Sequence, residues 1–510
     1  MCAKTDLKDT LLRILKSKTL LENMEFPTVE QQQNLFHQLQ EKRPNFYKDL
    51  DPKKRTIFIR QTGDNYRSFR MPTQQMSFSV LNLTKLINSQ SGQTVECMWR
   101  GQEDRQHILG HCTSTFETLD KFAQSGIVAT LHDGSLETFN VVVLYVADLC
   151  HMQYVLGRVN TTATYGCWHC KKNSNSWADK KCQPAGRLTM DQMKEFGEKA
   201  VKQLGQNPRE DQPAFKKFHV QHFGQIAPPL LSCLTHETMP VCSLHLILAV
   251  HRLFWKIIHS VAKARNQEEL IVPALKKIGC HYLAFQMKSY FNCKGKHYDG
   301  SSTMRMTGND CKRLEANVEA FVSTFLVSTG GETIRDQSAT RLYLLQKAVQ
   351  SFRDIAHDLR SAKATQKRVD SFSDRVEKWF LFCKAQFPSE CTQRMPYVHI
   401  LREHVGPLLK FWFAALGWGY GMFSCSASEH LNKRLKVFEC DHTSRKTSRF
   451  YSIIHSLRVL SFYYPNSLFT ASNSSVKCSA CGEKGHNKKN RLCPNHPTRI
   501  LDFSDSEEEI

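Results

Sequence analysis

Phe139-Asn140-Val141-Val142-Val143-Leu144-Tyr145-Val146-Ala147-Asp148 is the stretch on which the fold turns. From Val141 to Ala147 every residue is apolar, so neither face is polar, as a strand covered on both sides requires. The run stops on a carboxylate. An acid closing a buried strand must be hydrated, paired or bound to a cation, because an isolated buried charge is prohibitively costly. Upstream, residues 56–60 form a second β-rich run, followed by Gly63-Asp64, and residues 76–81 alternate like a half-buried strand. His132-Asp133-Gly134 signals a turn between two further β-like runs. If the strands leading to Asp64 and Asp148 lie side by side, their acids can hold divalent ions once a helix brings a third. That is a two-metal arrangement for phosphoryl transfer, and oxygen ligands suit Mg²⁺ or Mn²⁺. The competing local reading makes each Asp a turn residue or a helix N-cap.

Outward from this β-rich region the pattern changes. Residues 1–54 read as an N-terminal helical segment with two short amphipathic helices, through Leu7, Leu11 and Leu15 and then Val29, Leu35 and Leu39. Residues 55–160 carry the core strands. A mostly helical insertion occupies 161–405, with helical periodicity at 243–262, 313–327, 340–362 and 372–386. Core helices follow over 406–470, a compact Cys/His cluster over 471–497, and an acidic tail over 498–510. The fold class expected is α/β plus α.

The 510 residues carry 69 Lys+Arg against 48 Asp+Glu, a net charge of +21 that favours a polyanionic partner, nucleic acid before membrane. An apolar content of 41% excludes a wholly disordered or fibrous chain. The apolar stretches are short or broken by His, Arg and Gly, and no membrane span or signal-peptide core is expected. The 19 Cys are therefore expected in a reducing compartment, as metal ligands or buried thiols.

Cys167-Trp168-His169-Cys170 is a CxxC hook, and His399-x4-His404 has the spacing of the second half of a zinc site. If the halves share one ion, it ties two distant segments together, bracing the Asp148 strand against the helix bearing Glu429. Buried free thiols and exposed helical histidines are the alternatives. Cys478, Cys481, His486 and Cys493 form a second, closed zinc set, a knuckle of nucleic-acid-binding type among Lys484, Lys488, Lys489 and Arg491. Glu429 leads a basic run through His430, Lys433, Arg434 and Lys436, which suits a metal ligand beside a phosphate track. Its alternative is a capping box with Ser426.

Taken in order, these residues resemble the catalytic subunit of the V(D)J recombinase and the Transib-type transposases. The likeness spans residues 55–468. It rests on Ile57-Phe58-Ile59-Arg60-Gln61-Thr62-Gly63-Asp64, on Asp148 ahead of Cys167-x2-Cys170, and on Ser243-Leu244-His245 with Trp255-Lys256-Ile257. Thr303-Met304-Arg305-Met306-Thr307-Gly308-Asn309, Tyr397-x-His399-x4-His404 and Glu429-x2-Asn432-Lys433 complete it. The terminal knuckle is similar to one carried by invertebrate relatives. The resemblance implies an RNase H-like core interrupted by a zinc-braced helical insertion, with Asp64, Asp148 and Glu429 as the acid triad and Glu439 as the second candidate for the third acid. It implies DNA contacts from His245, Arg305, Asn309, Asn432, Lys433, Arg434 and Lys436, two catalytic Mg²⁺ or Mn²⁺ and two structural Zn²⁺. It implies nuclear DNA cleavage by nicking and hairpin formation at terminal-repeat-like ends, a homodimer and an accessory second subunit. With 63 residues ahead of Asp64, the family's N-terminal end-reading domain is not expected. A domesticated, non-catalytic DNA- or chromatin-binding protein is the alternative, and an RNA-binding knuckle on an inert platform is a third.

Overall fold

The computed structural model describes residues 2–442 apart from 69–70, 90–91, 180–185, 206–211, 293–305, 328–336 and 393. Arg305, the knuckle ligands Cys478, Cys481, His486 and Cys493, and the acidic tail lie outside the described residues.

Six strands form one mixed sheet: β1 (Cys2–Lys4), β2 (Thr56–Ser68), β3 (Met71–Val80), β4 (Thr94–Arg100), β5 (Ile127–Thr130) and β6 (Leu136–Tyr145). Their order across the sheet is β1-β4-β3-β2-β6-β5. Only the β2–β6 pair is parallel, matching Thr56 with Asn140 through Gln61 with Tyr145. The strand that opened the sequence reading is thus β6. Its Phe139 and Val141 through Tyr145 are fully buried, as a strand with no polar face demands. The turn at Asp133-Gly134 joins β5 to β6, with Gly134 at φ 85°, a left-handed conformation that glycine adopts without a Cβ clash.

β2 exceeds the run at 56–60 that marked it in the sequence. Beyond Gln61 it loses β6 but stays paired with β3 out to Ser68, so Asp64, opposite Gln75, lies within the strand and not after it. β2 therefore overhangs the end of β6. That overhang, at the carboxyl ends of the parallel pair, is where α/β folds open a crevice.

The N-terminal segment departs from two helices. It contributes edge strand β1 and four helices, α1 (Leu7–Lys16), α2 (Lys18–Glu22), α3 (Val29–Lys42) and α4 (Pro44–Tyr47). α5 (Arg105–Ser125) covers β6, and α6 (Leu149–Leu156) starts directly after it. Then come α7 (Met190–Leu204), α8 (Pro213–Gln221), α9 (Ser243–Ala264), α10 (Ile271–Lys277), α11 (His281–Asn292), α12 (Gly308–Val327), α13 (Gln337–Arg360) and α14 (Gln366–Gln386). The last three are α15 (Pro396–Ile400), α16 (Gly406–Leu416) and α17 (Ser426–His442). The expected helical stretches are present. α9 is long and apolar enough to cross a membrane, unlike the broken stretch read from sequence, yet most of it is buried against α12, α13 and α15. Its His251 faces Glu315, which Arg360 grips with two hydrogen bonds of 2.6 and 2.7 Å. The apolar core runs without a break from Leu7 to Cys425, so strands and helical insertion share one core and do not fold as separable layers.

Candidate metal centre and acid cluster

Cys167, Cys170, His399 and His404 come together in the interior, with one donor atom from each lying within 4.8 Å of all the others. Cys167 Sγ is 3.4 Å from His404 Nε2, and Cys170 Sγ is 3.4 Å from His399 Nε2. A zinc tetrahedron with ordinary Zn–S and Zn–N bonds has edges of about 3.6 Å, so the donors fit. Burial holds the His399 imidazole below its ordinary pKa, in the neutral form a metal needs.

The HxxxxH half has a specific physical basis. In a regular α-helix, residues five apart point about 140° away from each other. Here Leu401–Val405 forms a wide π-turn between α15 and α16, and the wider turn swings His404 round towards the side of His399. Arg402 pins the distortion. Fully buried, it grips both carboxylate oxygens of Glu377 on α14 and donates to the carbonyls of Trp177 and Asp179. Trp177 stacks on His399 with centroids 4.6 Å apart, and His169 packs against His404. The imidazole Nδ1 atoms of His399 and His404 are buried without hydrogen bonds, so ring packing sets their orientation.

The three acids also converge. Gly63 is where β2 passes α6: a Cβ there would lie 2.0 Å from the His151 ring, so only glycine lets the strand come this close. Asp64 Oδ1 accepts from Asn65 N–H, and Oδ2 accepts from Asn432 Nδ2 at 2.7 Å. Asp148 is the N-cap of α6, accepting from His151 N–H at 2.7 Å. The helix-cap reading of that acid is therefore correct, and it leaves the second carboxylate oxygen for other work.

The capping box at Ser426 and Glu429 does not form. Ser426 is the first residue of α17, and the first helical bond runs from Glu429 N–H to Cys425 O at 3.0 Å. The Glu429 carboxylate lies instead 3.8 Å from His245 Nε2.

Burial, then Glu429 nearby, pushes the Asp64 carboxyl up to about 8, with Asp148 adding to the effect. Burial also raises Glu429. Although burial opposes it, Cys242 beside the ring, with Asp148 and Glu429, lifts His245 to about 10. Burial and neighbouring charge thus push Asp64 and Glu429 towards the protonated form and His245 towards the imidazolium. The carboxylates are spread more widely than the Cys/His set, whose donors meet the 4.8 Å limit while the three acids do not.

Of the DNA-contact candidates, His245 faces Glu429, Asn432 bonds Asp64, and Lys433 is exposed on α17 close enough to act on Glu429. Asn309 is exposed in the first turn of α12. Arg434, Lys436 and Glu439 lie on α17, with side chains outside those described.

Tyr397 of the histidine half and residues not singled out from sequence complete the neighbourhood. Glu103 accepts from Asn65 Nδ2 and pairs with His151 Nδ1 at 2.8 Å, placing a fourth acid beside the cluster. Tyr397 Oη accepts from Leu149 N–H at 3.2 Å and its ring stacks near His245, so the helix carrying His399 touches the residue after Asp148. This contact ties the histidine half of the joint to the start of α6. Cys242 and Cys425 also lie here. No periodicity or spacing pattern marks isolated residues such as these. No protein-family model and no curated protein matches this chain.

Proposed function

We propose that the chain is a metal-dependent DNA endonuclease and strand transferase of the transposase and recombinase class, built on an RNase H-like core. The observation that carries this reading is the convergence of Asp64, Asp148 and Glu429, from segments far apart in sequence, where burial raises the Asp64 and Glu429 carboxyls. The strand order supports it. One acid stands on a strand in an antiparallel run with β3 and β4, and another closes the strand parallel to it.

Asp64, Asp148 and Glu429 would hold two Mg²⁺ or Mn²⁺, which when bound would activate the attacking oxygen and stabilise the leaving one. Asn432 fixes the rotamer of Asp64. Lys433 and Asn309 supply exposed donors for a phosphate backbone. His245 balances the acids until cations arrive. The Cys167/Cys170/His399/His404 joint is structural on this reading, holding α15 against the start of α6 through Tyr397. The partner is DNA, the compartment the nucleus and the assembly a homodimer pairing two ends.

The test is cleavage of supercoiled plasmid by the full-length protein with Mg²⁺ or Mn²⁺. Nicked circles are expected, and Asp64→Asn or Glu429→Gln should remove them while circular dichroism stays unchanged. DNA binding with no nicking in either ion, or undiminished nicking in both variants, would overturn the reading and favour the non-catalytic alternative.

A further inference from the structure

A second group of soft donors lies beside the acids. Cys242, His245 and Cys425 each offer one ligand atom, all within 4.8 Å of one another. Cys242 precedes α9, His245 lies in its first turn, and Cys425 precedes α17. Both sulfurs are buried, and His245 is half-buried. The Cys425 N–H donates to Cys242 Sγ at 3.1 Å, which holds the two helix starts together and favours the thiolate form of that sulfur. Cys425 Sγ itself reaches Val146 O at 3.5 Å, at the end of the strand that leads to Asp148.

We propose that Cys242, His245 and Cys425 form a second soft-metal site, taking Zn²⁺ through two thiolates and one imidazole. Three protein ligands leave a fourth tetrahedral position. Glu429, whose carboxylate lies 3.8 Å from His245 Nε2, borders the same imidazole.

The charge balance around the buried sulfurs permits the ion. Arg60 is fully buried and donates to Ser79 Oγ and to the carbonyls of Met422 and Ile87. It has no carboxylate partner among the described residues, and the ionisable groups acting on it are Cys242 and Cys425. A dication with two thiolates is neutral, so the ion would add no net charge to the interior beside Arg60. Thiolate and imidazole donors select Zn²⁺ over the Mg²⁺ suited to the neighbouring carboxylates.

One consequence rests on the proposed nuclease reading: Zn²⁺ drawing on Glu429 would oppose cleavage supported by Mg²⁺. The metal site itself does not rest on it, and its test reads metal alone. Full-length protein purified with Zn²⁺, exhaustively desalted and measured by plasma mass spectrometry should carry one zinc more than a Cys242→Ser/Cys425→Ser double variant. After chelation and Co²⁺ loading, the double variant should lose part of the thiolate-to-cobalt charge-transfer absorption.

If the double variant fails to fold, His245→Gln replaces it, since that ring is partly exposed. It should weaken the last-filled Zn²⁺ equivalent at least about 10-fold. Equal zinc content and unchanged cobalt spectra in a folded double variant, or unchanged Zn²⁺ affinity in His245→Gln, would overturn the site. A Cys242–Cys425 disulfide in the purified protein would overturn it too.

Discussion

The Cys/His joint and the acid cluster both gather side chains from segments far apart in sequence, yet they resolve their charges in opposite ways. At Cys167/Cys170/His399/His404 the donors are packed to tetrahedral spacing, and Trp177 and Arg402 hold the surrounding backbone. At Asp64/Asp148/Glu429 the groups stand further apart, Asp64 is half-buried, and raised carboxyl pKa values persist beside an imidazolium. A site built for a resident ion is tight and dry. One built to exchange ions or substrate keeps space and unspent charge. The contrast fits a structural zinc in the first and, on the proposed reading, working ions in the second.

The sharpest way to break this comparison is to remove the joint. Cys167→Ser or His404→Ala should cost on the order of 5 kcal/mol or more, enough to unfold much of the protein, because binding energy at a structural zinc is folding energy. Chelation should lower the melting temperature of the wild type in the same direction. If calorimetry finds either variant as stable as the wild type, the joint is not a brace. Asp64→Asn should do the reverse. Plasmid nicking should fall by ~1,000-fold or more, as loss of a metal-holding group implies. Stability in metal-free buffer at pH 8 should hold or rise, since the substituted amide cannot carry the charge the fold resists. A fall in melting temperature would show that Asp64 is needed for the fold and not for an ion.

Gly63→Ala should have smaller effects on both stability and rate. Its methyl would meet the His151 ring, which is held by Tyr145 and Glu103. Overpacking of this kind costs ~1–3 kcal/mol. It should also displace Asp64 from Asp148, and a shift of about 1 Å in a reacting constellation costs about 100-fold in rate. Nicking assays and thermal melts on the same preparation separate the effects. An alanine that leaves both untouched would mean that β2 and α6 are not closely packed at the acids.

The parts legible in the sequence are those with a local periodic cause. Residues 141–147 announced a doubly buried strand, and the helical stretches from α9 to α17 announced themselves by spacing. The CxxC and HxxxxH halves were readable because metal ligation constrains spacing, and the structure joins them. The π-turn was not readable: HxxxxH is out of phase for an α-helix, and the reason it works lies in the Arg402–Glu377 contact with a distant helix. The capping box at Ser426 was a sound local reading overruled by the segment before α17, which starts that helix from Cys425. The length of β2 was missed because its polar second half is sustained by pairing with β3, not by its own composition. Cys242, Cys425 and Glu103 carry no local pattern, and only the chain's return to the end of β6 collects them.

A change in the opposite direction, a gain of stability, concerns an acid that belongs to neither site. Glu96 is buried inside the sheet, where it accepts from Gln61 Nε2 while its Oε1 has no partner. Burial pushes its carboxyl up to about 8, despite the Gln61 hydrogen bond. A carboxyl held that high when folded, and near its ordinary 4.5 when unfolded, keeps its proton only in the folded state between those values. The folded protein then binds more protons, so this contribution to stability is full below about 4.5 and drains away as pH rises to about 8. Glu96→Gln removes the ionisation and retains an acceptor for Gln61. It should stabilise the protein by ~2–4 kcal/mol at pH 8 and by little at pH 4. Denaturant melts of both proteins across that range supply the check, and parallel stability curves would mean that Glu96 is ionised within the fold. Because Glu96 is no part of the proposed metal-holding set, its pH dependence should persist at saturating Mg²⁺, whereas any part arising from Asp64 should shrink as the ion takes the place of the proton.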